Sequence, residues 1–264
     1  MAVERLDLEQ IEPTDILVNE HWLRYQFVAG FIKNKNILDI ACGSGYGSNY
    51  LASQGAVKVT GADIDRETVA QVKQKYQRDN LNFRQASALD LPFKDDEFEA
   101  VVSLETIEHF TAEDQTKFLQ ELKRVLEPGG LLIMSTPNSE FSSHGNPYHL
   151  KELNYAELND TIKKHFANCK IFKQGSAIAT FIDAGQDKKF DITSDFMPRY
   201  FVTLSSDGNL PEVNKSFSSL NPLTLSMREN HPVMKLVGNV YYQLNKVKLF
   251  KTIFNYLSKK TSKN

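Results

Sequence analysis

The stretch LDIACGSGYG, residues 38–47, joins the end of an apolar run to a loop that contains three glycines. The run predicts a buried strand, and the glycines predict a tight turn after it. Ligands of open parallel sheets bind beyond the carboxyl ends of the strands, and glycines let a ligand approach the backbone closely. The stretch is therefore the expected ligand site, and Asp39 lies within it.

Predicted strands and helices alternate from this stretch onward. The predicted strands cover 36–41, 57–64, 81–86, 98–104, 130–137, 169–174 and 199–206. The predicted helices cover 19–32, 47–54, 66–77, 113–126 and 154–166. Alternation of this kind is typical of a parallel sheet with helices on both faces. We therefore predict an α/β, doubly wound fold with a mostly parallel sheet of seven strands.

The composition is that of a folded domain, with 264 residues, 41% of them hydrophobic, and two cysteines. We predict one domain over 1–206, a linker over 207–232 and a basic amphipathic helix over 233–264. No apolar run reaches the roughly 18–20 residues of a membrane span. The polar N-terminus does not read as a signal peptide, and two cysteines form no disulfide framework. A cytoplasmic location is therefore expected.

The charge is unevenly distributed along the chain. The net charge is −2, and seven lysines but no acidic residue follow Asn230, which leaves −9 on residues 1–230. Because binding of long nucleic acid requires neutralisation of phosphates, long nucleic acid is not expected as a partner. Three alternatives stay open for the basic helix 233–264: docking on the acidic body or a partner protein, peripheral contact with an anionic membrane surface, and disorder.

Asp39 limits the chemistry of the ligand. At an effective dielectric of about 20, a carboxylate and a phosphate roughly 5 Å apart repel by about 3 kcal/mol. The loop also reads G-x-G-x-G, whereas a dinucleotide site has G-x-G-x-x-G. Asp63 closes the second predicted strand, where an acidic residue binds a ribose diol. These features predict a nucleoside that carries a positively charged side arm.

Four segments resemble, in order and with normal spacing, the motifs of class I S-adenosylmethionine-dependent methyltransferases. They are LDIACGSGYG, VTGADI, LDLPFKDDEFEAVVSLETIEHF and LEPGGLLIMSTPN, and they cover about residues 36–138. The resemblance implies a Rossmann-like fold and S-adenosylmethionine as the cofactor. It also implies that Asp39, Ala41 and the backbone of Gly43 and Gly45 hold the methionine moiety, and that Asp63 binds the ribose hydroxyls.

The resemblance implies further contacts to the adenine and the sulfonium. Ile64 is expected to lie against the adenine, and Ser103 and Leu104 are expected to border the sulfonium. Many relatives have a triplet like GDA after the third strand, whose Asp binds the adenine amino group. Here the triplet is ASA, so Ser87 and the backbone of Ala88 are the expected substitutes.

The segments after the fourth and fifth strands hold the candidates for acid–base chemistry. An alcohol acceptor needs a base for its proton, a contribution of roughly 10²–10⁴ in rate. His149 is the first candidate because it lies in a loop, where acceptor contacts often occur. His109 and Glu105 are the other candidates, and His144 lies in the same loop as His149. Each histidine has a structural alternative, as a surface cap or as a partner of the backbone.

The motif E-x-x-E-H, residues 105–109, also resembles part of the metal site of small-RNA 3′-end 2′-O-methyltransferases. Two carboxylates and a histidine suit Mg²⁺ or Mn²⁺. However, Phe110 stands where that family has a further histidine, and metal-free relatives share the motif. No metal is therefore predicted, and a metal-dependent enzyme is the alternative.

The flanking segments 19–52, 146–153 and 199–212 resemble a methyltransferase subgroup associated with bacterial glycosyltransferases and surface-polysaccharide biosynthesis. This resemblance implies a sugar hydroxyl or glycan end as acceptor. Within it, Arg24 is expected to pair with the methionine carboxylate, and Tyr25 lies on the same helix. For Tyr25, packing of that helix on the sheet is the alternative.

Several other functions stay open. They are methylation of a small metabolite such as a quinone or natural product, methylation of RNA, and cofactor binding without catalysis as a partner subunit.

Overall fold

The computed structural model describes residues 16–142, 146–175 and 198–213 of the chain. The strands are β1 (Asn36–Ile40), β2 (Lys58–Asp63), β3 (Leu81–Gln85), β4 (Phe98–Leu104), β5 (Leu126–Pro137), β6 (Asn168–Gln174) and β7 (Tyr200–Ser206). The helices are α1 (Ile16–Ala29), α2 (Tyr46–Ser53), α3 (Arg66–Lys75), α4 (Ala112–Val125) and α5 (Tyr155–Lys163), and a 3-10 turn covers Ile107–His109.

The seven strands form one sheet in the order β3-β2-β1-β4-β5-β7-β6. The first five strands run parallel, whereas β7 pairs antiparallel with both β5 and β6. The predicted α/β, doubly wound and mostly parallel fold is confirmed. Asp65 caps α3 by accepting hydrogen bonds from the backbone N–H groups of Glu67 (2.7 Å) and Thr68 (3.2 Å).

Two of the boundaries that differ from the prediction have local reasons. Helix α1 ends at Ala29 instead of 32 because Gly30 follows, and glycine is unfavourable inside a helix. Strand β5 begins at Leu126 instead of 130 because Leu126 already pairs with Phe98. The register then shifts, so the EPGG segment, which reads as a helix stop, is accommodated within the strand.

The two faces of the sheet are covered by different helices. Leu38 and Ile40 point toward a cluster that includes the apolar faces of α4 and α5. Ile37, with the opposite parity, belongs to a cluster that includes residues of α1 and α2. Side chains alternate along a strand, so Asp39 lies on the same face as Ile37, under α1 and α2.

Parallel strands end at one edge of the sheet, and this edge carries the functional side chains. Strands β1 and β4 are neighbours, so Asp39 and the residues after Leu104 lie close together there. Strand β7 begins at the same edge, since Tyr200 pairs with Pro137. The edge therefore brings together groups that are far apart in the sequence.

Some predicted segments lie outside the described residues. They are residues 214–232 of the predicted linker, the basic helix 233–264, and His144. Leu210 and Val213, at the start of the predicted linker, pack against the cluster beneath α1 and α2. Of the helices in the described ranges, none combines the length and apolarity needed to cross a bilayer.

Candidate cofactor and acceptor site

Asp39 is a buried carboxylate at the end of β1. Its Oδ2 accepts hydrogen bonds from Ser48 Oγ (2.6 Å) and Tyr25 Oη (3.3 Å). Its Oδ1 is buried and has no hydrogen-bond partner among the described residues. Burial raises the pKa of Asp39 from 3.8 to about 7, although the bonds from Ser48 and Tyr25 oppose this shift. A ligand that brings a positive charge to Oδ1 would therefore be strongly favoured.

The raised pKa predicts that cofactor binding depends on pH. The ligand ammonium favours the ionised carboxylate, so below pH 7 binding releases the Asp39 proton. Calorimetry of S-adenosylhomocysteine should show affinity that rises by up to about tenfold per unit of pH below 7 and levels off above it.

The variant Asp39→Asn is the control, because it cannot ionise. Its affinity should be weak and nearly constant over the same pH range. The raised pKa of Asp39 also makes the free energy of unfolding depend on pH. Protonation of Asp39 contributes fully to stability below about pH 4, and this contribution is lost as pH rises through about 7. Asp39→Asn should therefore leave the ligand-free protein at least as stable at pH 8, and a wild-type affinity that does not change with pH would contradict this account.

The loop after β1 has a left-handed backbone at Ala41 (φ 60°), Gly43 (φ 53°) and Gly45 (φ 71°). A side chain on Gly43 would meet no atom within 4 Å, so open space lies beside its Cα. A left-handed alanine is strained, and such residues cluster at ligand sites. The loop thus lies beside open space at Gly43, whereas Gly45 is buried, and the predicted contacts of these residues with the cofactor stay predictions.

Gly47 is needed for a different reason, since it lies in α2 under the ring of Tyr25. A Cβ at position 47 would lie 1.8 Å from Tyr25 Cζ. Tyr25 is buried and packs edge-on against Tyr46, with ring centres 5.4 Å apart. The glycine therefore lets the Tyr25 hydroxyl reach Asp39.

Asp63 lies at the end of β2 and fixes the loop. Its Oδ2 accepts from the backbone N–H of Gly43 (2.9 Å) and its Oδ1 from that of Asp65 (3.0 Å). A carboxylate has about four acceptor sites, and the contact of Asp63 with a ribose diol stays a prediction. The next residue, Ile64, is 61% exposed, which leaves an apolar side chain beside Asp63 for an adenine to cover.

Arg24 is 1% exposed, although it is charged. Its Nε donates to Gln174 Oε1 (2.7 Å), and its guanidinium lies 4.1 Å from the centre of the Tyr200 ring. Its Nη1 lies 3.4 Å from Glu105 Oε1, but within the described ranges neither Nη1 nor Nη2 makes a hydrogen bond. A buried guanidinium whose outer nitrogens make no hydrogen bond suits a ligand carboxylate, and the contact of Arg24 with the methionine carboxylate stays a prediction.

The remaining predicted cofactor residues line the neighbouring strand ends. Ser103 is buried, and its Oγ has no hydrogen-bond partner in the part of the chain that the structure describes. Leu104 is buried beside it. Ser87 Oγ accepts from the backbone N–H of Leu89 (3.2 Å), and Ala88 packs against the core. Ser87 thus stabilises its own turn, and its predicted contact with adenine stays a prediction.

Glu105 is placed away from the histidines by its hydrogen bonds. Ser135 Oγ donates to Glu105 Oε1 (2.6 Å), the atom that also faces Arg24. Its backbone is left-handed, with φ 52°. Glu105 therefore orients Arg24, next to the predicted cofactor residues, and is not part of the cluster of Glu108, His109 and His149.

His109 and His149 are brought together, with ring centres 5.1 Å apart. His109 Nδ1 lies 3.0 Å from the Tyr148 carbonyl oxygen, so Nδ1 carries the proton. His149 Nδ1 lies 2.5 Å from Glu152 Oε1, and its Nε2 lies 2.9 Å from the Asn146 amide nitrogen. Because Asn146 Oδ1 accepts from Tyr148 N (3.1 Å), the amide nitrogen must donate to His149. His109 therefore donates from Nδ1, and His149 donates from Nδ1 and accepts at Nε2.

Glu108 is buried and holds the loop of His149 in place through its backbone. It is 1% exposed, and its Oε2 accepts from Thr136 Oγ1 (3.0 Å). Its backbone carbonyl accepts from the N–H groups of Leu150 (2.8 Å) and Lys151 (3.1 Å), which ties the loop of His149 to the end of β4. Burial, and secondarily the charge of Glu105, raises the pKa of Glu108.

Sequence reasoning missed the residues that position the predicted ones. They are Ser48, Gln174, Tyr200, Asn146 and Glu152. Gln174 ends β6 and Tyr200 begins β7, and both lie at the edge of the sheet that carries the site. A polar residue at a strand end and an aromatic residue at a strand start could have indicated them. For Ser48, Asn146 and Glu152 the sequence carries no signal beyond their nearness to Asp39 and His149.

The strand order, the glycine loop and the buried acid at the end of β1 are similar to those of class I S-adenosylmethionine-dependent methyltransferases, and the matches to methyltransferases imply S-adenosylmethionine as the cofactor. Residues 38–134 match the family model described as a methyltransferase domain.

Similarity to known proteins is concentrated in this domain. A probable S-adenosylmethionine-dependent methyltransferase of Mycolicibacterium smegmatis is 38% identical over 148 residues, covering 54% of this chain and 56% of that protein. The chloroplastic tocopherol O-methyltransferase of Arabidopsis thaliana is 38% identical over 113 residues, 39% of this chain and 30% of that protein. The chain thus spans little more than half the length of the first relative.

A solved structure shares the fold. A methyltransferase from Archaeoglobus fulgidus superposes with a TM-score of 0.56 at 16% identity, over 72% of this chain and 93% of that chain. At this identity the likeness concerns the fold alone.

The side chains at this edge fit S-adenosylmethionine. Asp39 Oδ1 and the Nη groups of Arg24, which make no hydrogen bond within the described residues, provide an acceptor for an ammonium and donors for a carboxylate. These are the two charged ends of an amino acid, which is the methionine part of the cofactor. A pyrophosphate would fit Arg24 but would be repelled by Asp39.

Proposed function

We propose that the protein transfers the methyl group of S-adenosylmethionine to a hydroxyl oxygen. The observation that carries this proposal is the pair of imidazoles, His109 and His149, held together beside the end of β4. A hydroxyl acceptor must lose a proton as its oxygen attacks, and lone pairs on buried or half-buried imidazoles suit that task.

The chain's own residues bind and orient the reactants. When bound, the cofactor supplies a methyl group activated by its positively charged sulfur. Asp39 and Arg24 hold its amino-acid end, Asp63 holds the ribose, and Ser103 borders the sulfur. Fixing the acceptor oxygen in line with the sulfur–carbon bond provides much of the rate enhancement.

The transfer balances as a single displacement. The acceptor oxygen forms a bond to the methyl carbon while the carbon–sulfur bond breaks, and S-adenosylhomocysteine leaves as a neutral thioether. The acceptor proton is removed at the cluster of His109 and His149.

The first proposed acceptor is a sugar hydroxyl or a glycan end. Its support is the resemblance of segments 19–52, 146–153 and 199–212 to methyltransferases of polysaccharide biosynthesis. The acidic character of residues 1–230 makes a long RNA acceptor unfavourable, because its phosphates would be repelled.

An apolar small molecule with a hydroxyl is the second candidate. Phe141, Tyr148 and Leu150 are exposed large apolar side chains in the segment that carries His149. Exposed apolar groups near a catalytic cluster favour contact with an apolar acceptor. The similarity to a tocopherol O-methyltransferase over 113 residues points in the same direction.

Label transfer to matched acceptors tests the proposal. The full chain is incubated with methyl-labelled S-adenosylmethionine and either oligosaccharides or prenylated phenols, each with free or with chemically blocked hydroxyls. We expect label on oxygen, and only in the free-hydroxyl set. Label in the phenols alone would replace the sugar acceptor by the second candidate. Label on nitrogen, or none on any hydroxyl, would contradict O-methylation.

A further inference from the structure

A third group joins the two imidazoles of the acceptor site. One ligand atom each from Glu108, His109 and His149 lies within 4.8 Å of the other two. Glu108 Oε1 is buried without a hydrogen-bond partner among the described residues. A buried carboxylate oxygen without a donor is costly unless a positive charge balances it. A cation bound beside Glu108 Oε1 would supply that positive charge.

We propose that Glu108, His109 and His149 bind a divalent cation of the first transition row, such as Mn²⁺. Two imidazole nitrogens and one carboxylate oxygen are a donor set that such ions accept with further positions open. Ligands about 2.1 Å from a common ion lie at most about 4.2 Å apart, so donors within 4.8 Å need only small side-chain rotations.

The partners of the imidazoles support this assignment independently. Histidines that bind metal usually donate their other ring N–H to a carboxylate or a backbone carbonyl, which fixes the tautomer. His149 Nδ1 donates to the carboxylate of Glu152, and His109 Nδ1 donates to the carbonyl of Tyr148. With Nδ1 as the donor, the ring atom of each histidine that could face an ion is Nε2, and at His149 this atom accepts a hydrogen bond from Asn146. The ion would replace the hydrogen bond from Asn146 to His149 Nε2.

The ligand set differs from the one that the sequence motif indicates, and it reverses the prediction of no metal. The motif groups Glu105 with Glu108 and His109, but the Glu105 carboxylate instead accepts from Ser135 and faces Arg24. His149 completes the set from a loop that the backbone of Glu108 holds in place.

The inference deepens the proposed function, on which its catalytic consequence rests. A bound cation would lower the pKa of an acceptor hydroxyl placed next to it, as metal ions do for bound water. With the ion bound, His109 and His149 would both be ligands instead of bases, and the acceptor proton would pass to a water molecule. Binding of the ion itself requires neither cofactor nor acceptor.

Titration with Mn²⁺ tests the site directly. The full chain, freed of metal with a chelator and dialysed, is titrated while the electron paramagnetic resonance signal of free Mn²⁺ is recorded. We expect binding of one ion per chain. Glu108→Gln, His109→Ala and His149→Ala should each weaken binding more than about tenfold. Glu152→Gln, which removes a supporting partner, should weaken it by about 10–100-fold.

His165→Ala is the matched control, because His165 lies after α5 and outside the cluster. Its Mn²⁺ affinity should equal that of the wild type, and S-adenosylhomocysteine binding should show that every variant is folded. No Mn²⁺ binding at millimolar concentration by a chain that binds S-adenosylhomocysteine would overturn the site. Unchanged binding in His109→Ala and His149→Ala would overturn it as well. A chain that binds Mn²⁺ at these residues but methylates no hydroxyl would refute only the proposed function.

Discussion

Replacing His109 or His149 by alanine is expected to lower methyl transfer by about 10²–10⁴-fold, the usual contribution of a group that handles a substrate proton. The affinity for S-adenosylhomocysteine should change by less than about twofold. The reason is spatial: the cofactor's charged end is assigned to Asp39 and Arg24, whereas the two imidazoles contact each other and the loop of Tyr148.

Single-turnover transfer to the identified acceptor, with calorimetry of S-adenosylhomocysteine, measures the two effects separately. His165→Ala is the control and should match the wild type in both measurements. If His109→Ala and His149→Ala lose cofactor affinity in proportion to rate, the imidazoles support the fold or the cofactor. If rates are unchanged in both, the acceptor proton leaves by another route.

Gly47→Ala is expected to destabilise the protein by about 3 kcal/mol, even though alanine favours a helix over glycine by about 1 kcal/mol. The added Cβ would lie 1.8 Å from the Tyr25 ring, so the ring must leave its buried position. Displacement also breaks the hydrogen bond from Tyr25 to Asp39. Affinity for S-adenosylhomocysteine should therefore fall together with stability.

A double-mutant cycle isolates this clash, with urea unfolding as the measurement. In the Tyr25→Ala background the ring is absent, and Gly47→Ala should be neutral or stabilising by up to about 1 kcal/mol. Equal destabilisation in both backgrounds would show that the cost arises elsewhere in α2. Ser53→Ala, an exposed position in the same helix, is the control for changes in helix propensity.

The fold could be predicted because its evidence is local. Most strands contain an apolar run, and a helix follows each of β1, β2, β4 and β5, so the alternation can be counted directly. The boundaries of the strands were less predictable than their presence. The bulge opposite Phe98 and Ala100 extends β5 back through EPGG, and this depends on the neighbouring strand instead of on the segment itself.

The candidate site was predictable where residues end neighbouring parallel strands. Asp39 and Asp63 close β1 and β2, which lie side by side, so their meeting at one edge follows from the topology. The support of Arg24 was not predictable, because Gln174 is 150 positions away and reaches Arg24 only through the placement of β6. Glu105 shows the converse, since nearness to His109 in sequence did not place the two together.

The pair of His109 and His149 shows what the tertiary structure adds to a prediction from sequence. His109 and His149 could be suspected separately from their positions after strands. Their contact depends on the backbone of Glu108, which holds residues 150 and 151 against the end of β4. Without that contact, neither the tautomers nor the three-residue cation site can be inferred.

Calorimetry with a whole and a truncated ligand tests most directly that Asp39 recognises the amino-acid end of the cofactor. Hydrogen bonds to charged groups contribute about 1.5–3 kcal/mol, so Asp39→Asn should weaken S-adenosylhomocysteine by about 10–150-fold. The same variant should bind 5′-methylthioadenosine, which lacks the amino acid, as the wild type does. Equal affinity of wild type and variant for S-adenosylhomocysteine, or equal losses for both ligands, would contradict the account.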